Sequence, residues 1–223
     1  MEIKVQIPDH LSEITITQYA TYLNIIEQFE KMKKESQNSD VFYLLKTLEI
    51  FTGINYQDGL KLRLVDVKRI VTRIEKLLNQ KPELIRMFTL GDTTFGFIPK
   101  LDDMTFGEYV DLDTNIGDWN NMHKAMAVIY RPVKKKNKDL YLIDDYKGDL
   151  YHEAMKVMPL DAAFSALIFF YRLGTDLSIG MTKYLEKQTK SQSSTASQIL
   201  VENGDGINRS IHSLREMLQN MKI

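Results

Sequence analysis

The chain contains no cysteine, a single tryptophan and only four histidines. Missing cysteine removes disulfides, thiol nucleophiles and thiolate-held metals together, and it suits a reducing cytoplasm. Excess charge is missing too: 29 basic and 30 acidic residues leave a net charge of −1. No overall field therefore draws the protein toward nucleic acid or a membrane surface. Long apolar runs are absent. The longest, Ala162 to Tyr171, is interrupted by Ser165 and bounded by Asp161 and Arg172. It falls far short of the roughly 20 residues that span a bilayer and reads as a helix buried on most sides. The opening residues carry no apolar core of a signal peptide. Neither a P-loop nor a dinucleotide-binding glycine motif occurs.

What is present describes a folded, mainly helical chain. At 223 residues it is one large domain or two small ones, long enough to bury a core. Apolar residues make up 43% and charged residues 26%, the balance of an ordinary globular protein. Two stretches echo each other. Ile7-Pro8, Leu11, Ile14, Thr15, Gln18 and Tyr19 align, with one gap, with Ile98-Pro99, Leu101, Met104, Thr105, Glu108 and Tyr109. Thr15 with Gln18, and Thr105 with Glu108, each make a capping box that opens a helix. Two further helical segments follow each copy, so a period of roughly 90 residues predicts a duplicated three-helix unit.

Local signals fill in the rest. Residues 2–7 alternate as a half-buried strand does. Helices are expected through Tyr19 to Phe29, through Val41 to Phe51, and through the stripe Leu64, Val67, Val71, Ile74 and Leu78, ended near Pro82. Residues 84–98 read as a β-hairpin turning at Gly91-Asp92. Asp118 is the expected N-cap of a helix from Trp119 to Tyr130, which Pro132 ends. Lys134 to Asp139 reads as a charged connection before a short strand at Leu140 to Ile143. A helical turn at Tyr151 to Met158 precedes the apolar helix, which Gly174 is expected to break before another helix from Thr175. The fold class is therefore α+β, mostly α-helical, with a small hairpin and a C-terminal helical arm. The expected plan is a core over 1–187, with repeats about 7–82 and 98–175, a Ser/Thr/Gln linker over 188–206 and a helix over 207–223.

Four stretches are candidates for chemistry or contact. Asp111 to Asp118 resembles a calcium loop, but Ile116 and Met122 occupy the places that require Gly and Glu. A helix end and its cap explain those acids. His152-Glu153 begins like a zinc-protease helix, but Lys156 stands where the second histidine belongs. No catalytic residue, metal or cofactor is expected. Lys134, Lys135, Lys136 and Lys138 form a candidate basic contact loop, either simply solvated or touching phosphate or an acidic partner. No aromatic residues alternate with these lysines, so specific single-strand binding is not expected. Finally, Ile207, Ile211, Leu214, Leu218 and Met221 recur at spacings of 4, 3, 4 and 3. That narrow seam suits a coiled coil or a helix laid in a groove, and equally a helix packed back on its own domain.

Several blocks taken together resemble a known group. They are Phe95 to Pro99, Thr105 to Leu112, Asn121 to Pro132, Met158 to Asp161 and Phe169 to Tyr171. Over about residues 90–175 the chain resembles structural or assembly proteins of tailed bacteriophages, including crAss-like phages. That resemblance implies a non-enzymatic virion protein, assembled in the host cytoplasm, whose partners are other virion proteins and copies of itself, with no membrane and no specific nucleic acid. It implies a neck or tail ring or connector component. A tail-assembly chaperone that leaves before maturation is one alternative, and an unrecognised enzyme or host-modulating binding protein is another.

Overall fold

Three backbone hydrogen bonds join the first helical copy to the C-terminal half. Leu160 N donates to Ile14 O (2.8 Å), Ile16 N to Met158 O (3.1 Å) and Thr17 N to Lys156 O (3.2 Å). The computed structural model describes residues 6–33, 39–138 and 140–189. Among them lie eight α-helices and one four-stranded sheet, an α+β architecture that is mostly helical.

The N-terminal half is helical for local reasons. Thr15 caps α1 (Ile16–Met32) with the full capping box. α2 (Ser39–Thr52) ends at Gly53, whose φ of +72° few side chains tolerate. A one-turn α3 (Tyr56–Gly59) leads into α4 (Leu64–Leu78). Val67, Val71, Ile74 and Leu78 recur on one face of α4, and all are buried. Leu45 and Leu48 of α2 meet Val67 and Val71 in a small core of their own. An exposed ion pair between Arg73 and Asp9 ties α4 to the chain ahead of α1.

The sheet is an antiparallel meander in the order β1 (Met87–Leu90), β2 (Thr93–Phe97), β3 (Tyr130–Asn137) and β4 (Leu140–Ile143). The hairpin at Gly91-Asp92 forms as expected, with Gly91 at φ +54°. Between β2 and β3 come α5 (Phe106–Asn115) and α6 (Met122–Ile129). After β4 follow a 3-10 turn, the short α7 (His152–Met155) and α8 (Leu160–Thr189). Leu160, Ala162, Ala163, Phe164, Ala166 and Leu167 are fully buried. Tyr19, Trp119 and Phe164 pack edge to face beside them, at 4.5 to 5.6 Å between ring centroids. Phe95, Phe97 and Tyr130 line the sheet's inner face against the same core.

Several expectations are corrected. The echo is local. Each copy runs from a 3-10 turn through a capping box. The helices that follow differ: α2 reaches α4 through one helical turn, whereas α6 reaches α8 through a β-hairpin. Lys134 to Asn137 are strand rather than loop, because β3 continues out of α6 and pairs with both β2 and β4. Tyr130 and Pro132 accordingly belong to a strand. Asp118 does not cap α6. Its carboxylate accepts from Asn120 N (2.9 Å) and Asn121 Nδ2 (2.6 Å) in the turn before the helix. Gly174 does not break α8, which runs through it and includes the first residues of the expected linker. A glycine inside a helix costs only about 1 kcal/mol, and the first turns of α8 are held by the core. Of the expected first strand only residues 6 and 7 are described, and they form no strand. Residues 190–223, with the seam from Ile207 to Met221, lie outside the described residues.

Phe164→Ala should lower unfolding free energy by about 3–5 kcal/mol, because the cavity cannot close among fully buried neighbours. Thr15→Ala removes one cap and should cost about 1 kcal/mol. Urea denaturation of both variants measures the difference, and equal costs would refute this account of the core.

Candidate functional site

The second capping box does more than start a helix. Thr105 N donates to Glu108 Oε2 at 2.6 Å, and Glu108 N donates to Thr105 Oγ1 at 3.3 Å. A carboxylate has a second oxygen to offer. Glu108 Oε1 accepts from Arg131 Nη1 at 2.7 Å, and the two side chains are only 5% and 8% exposed. Arg131 lies on the outer face of the sheet, opposite Gly96. Its Nε is buried and has no hydrogen-bond partner. In the first copy the corresponding residue is neutral: Gln18 Oε1 accepts from Thr15 N (2.9 Å) and its Nε2 donates to Ile50 O (3.0 Å).

Between this turn and the β3–β4 hairpin lies an open cleft of about 830 Å³. Lys100, Asp103, Arg131, Lys135, Tyr141 and Tyr146 are among its lining residues. The Tyr141 ring lies over Gly96, where an added Cβ would fall 2.6 Å from it. Tyr141 Oη donates to Phe97 O at 2.7 Å, which fixes the ring in that place. Asp144 closes one end. Lys134 Nζ and Lys147 Nζ each approach it to 2.8 Å, and Asp145 N donates to it at 2.8 Å. The Lys134 ammonium, then Lys147, holds the Asp144 carboxyl well below the usual carboxylate range. At the rim, burial and then the bond to Asp111 (2.8 Å) push the Tyr146 phenol upward.

The predicted basic cluster is thereby divided. Lys134 is committed to Asp144 and Asp145. Lys135, Lys136 and Lys138 are exposed and have no ion pair among the described residues. They occupy the end of β3 and the turn after it, where Lys138 has φ +53°. The structure also joins two histidines that the sequence separates: the His123 and His152 rings stand perpendicular, 6.4 Å between centroids. Glu153 beside them is bound by Lys156 at 2.7 and 2.9 Å. Among the described residues no three acidic, histidine or cysteine side chains are grouped to hold a metal. No described helix is long and apolar enough to cross a membrane.

Sequence reasoning missed the Glu108–Arg131 pair and the cleft beside it. Glu108 was visible as a cap, and Arg131 stood only at an expected helix end. The spacing of 23 residues between them carries no periodic signal.

Removing one partner of a buried pair leaves the other charge unpaired. Glu108→Ala should therefore lose about 3–5 kcal/mol of stability, and the double variant E108Q/R131M should recover much of it. A double-mutant cycle by urea unfolding tests this, and additive losses would reject the coupling. A pH effect follows at His123. Burial, then the Lys156 ammonium, lowers its pKa below the ordinary 6.5. The unfolded chain thus binds a proton before the folded one does, and stability should fall as pH drops through 6.5. His123→Gln should flatten the profile of Tm between about pH 7.5 and 5.5.

No protein-family profile matches the chain, no curated protein matches it and no solved structure matches it.

Proposed function

We propose that this chain is an assembly protein that works through protein–protein contacts, and that it serves as a structural component at the neck or tail of a tailed-bacteriophage particle. One observation carries the contact role. The two copies of the capped turn meet different fates. In the first, Ile16 and Tyr19 are buried beneath the start of α8 and Trp119. In the second, the matching Phe106 is 81% exposed, with Tyr109 and Val110 exposed on the same stripe of α5. An exposed apolar stripe of this kind is what a partner covers. The virion setting rests on the resemblance of residues 90–175 to phage assembly proteins. The apolar seam Ile207, Ile211, Leu214, Leu218 and Met221 would supply a second contact, to a neighbouring copy, and repetition around a ring would strengthen both through avidity.

Light scattering of the purified chain should show an oligomer. Phe106→Asp and Leu214→Asp should each weaken it while leaving the monomer's Tm within about 2 °C. A strict monomer at high concentration, or lost Tm with assembly retained, would count against the contact role. Mass spectrometry of purified particles tests the setting: several copies per particle are expected. A chain present during assembly and absent from finished particles would make it a chaperone instead.

A further inference from the structure

We infer that β4 is an acceptor edge, onto which an acidic, extended segment of another protein adds as a fifth strand. This deepens the contact role by naming the chemistry of one partner.

Four features of the hairpin support it. First, β4 is the last strand of the sheet and pairs only with β3. Its outer row of N–H and C=O groups faces no strand among the described residues, and such an edge is a template for another chain. Second, Leu140 and Leu142 point to one side of β4 and are 77% and 63% exposed. Residues two apart on a strand share a face, so an added strand would find apolar contacts at alternate positions. Third, Lys135 lies opposite Leu142 and Lys136 opposite Tyr141, with Lys138 at the turn. These three ammonium groups are exposed and have no ion pair among the described residues. Fourth, the cleft beneath the hairpin is lined by Leu140 to Ile143 together with Arg131. Of the donors on that guanidinium, Nη1 binds Glu108 and Nε binds nothing. The exposed lysines thus supply positive charge at the hairpin, while the Arg131 charge beneath it is already paired with Glu108, and Asp103, Asp144 and Asp145 also line the cleft.

The same lysines decide among occupants. Lys135 and Lys136 stand on β3, one strand in from the edge, where long side chains of an added acidic strand can approach them, whereas a second copy's edge, Leu140 to Ile143, carries no acid to meet them. An acidic strand is therefore the complementary occupant. Nucleic acid fits less well. Phosphates make no use of exposed leucines or of an open backbone edge. The nearby aromatic ring, Tyr141, is held over Gly96 and bonded to Phe97 O, so it is not free to stack on a base. Four residues of β4 span about 13 Å, so a short segment suffices.

A short fluorescent peptide of alternating Glu and Val is the probe. A Lys/Val peptide of equal length and a single-stranded oligonucleotide are the controls. Fluorescence anisotropy should show the Glu/Val peptide binding, more weakly as salt rises. Amide exchange should slow at Leu140 to Ile143 when it is bound. K135E/K136E/K138E, all at exposed positions, should weaken it by at least about tenfold. L140E/L142E should also weaken it, and circular dichroism should show both variants folded. No binding of the peptide, binding unchanged in the triple variant, protection appearing away from β4, or preference for the oligonucleotide would each overturn the inference. Peptide failure with oligomer assembly intact would reject strand addition alone. Lost assembly with peptide binding intact would reject only the virion-component reading.

Discussion

Buried backbone groups must find partners, and in this protein that requirement locks the two ends of the described chain together. Ile14 and Thr15 are extended just before α1, and Met158 and Pro159 lead from the turn after α7 into α8. Ile14, Ile16, Met158 and Leu160 are buried at this junction, whereas Thr17 and Val157 face solvent. The N–H and C=O groups of the two segments are satisfied by each other, with Thr15 and Pro159 facing as an isolated antiparallel bridge. Thr17 Oγ1 adds a bond to Lys156 O at 2.8 Å. This junction sets where α1 and α8 begin, and so brings Tyr19 onto Phe164 and Trp119. Proline suits Pro159 because its missing N–H leaves no donor to satisfy.

A second constraint acts through one atom pair. Both capping boxes use a side chain with two polar ends, one for the helix start and one for a distant element. Gln18 spends its free end on the last turn of α2, a neutral bond to a carbonyl. Glu108 spends its free end on Arg131 of β3, a buried ion pair. Swapping an amide for a carboxylate changes what the helix can be tied to. The first copy is tied to another helix and buried under α8. The second is tied to the outer face of the sheet, which leaves the Phe106 side of α5 open. Repetition of a turn has thus produced one packing surface and one presenting surface.

The legible part of the fold is the part governed by neighbours within about four residues. The stripe Leu64, Val67, Val71, Ile74 and Leu78 predicted a helix ended near Pro82; α4 stops at Leu78, and Leu64 at its start is exposed. Thr15 and Thr105 predicted their capping boxes, and Gly91-Asp92 its turn. The candidate site was far less legible. Four lysines near each other look like a solvated loop, because charge disfavours burial. In the fold Lys134 to Lys136 are strand, since β4 pairs with that part of β3, and Lys138 lies in the turn that follows, while their side chains stay in water.

Helix content, the two capped turns and the hairpin therefore follow from the chain's local chemistry, as short-range hydrogen bonds and one-faced apolar spacing are written directly in residue order. The burial of Arg131, the meeting of His123 with His152, the continuity of α8 through Gly174 and the exposure of Phe106 and Leu140 follow from packing instead. Each depends on which surface arrives beside it from tens of residues away. Residue identity limits what a position tolerates; the neighbour brought by the fold settles whether it is core, ion pair or open edge.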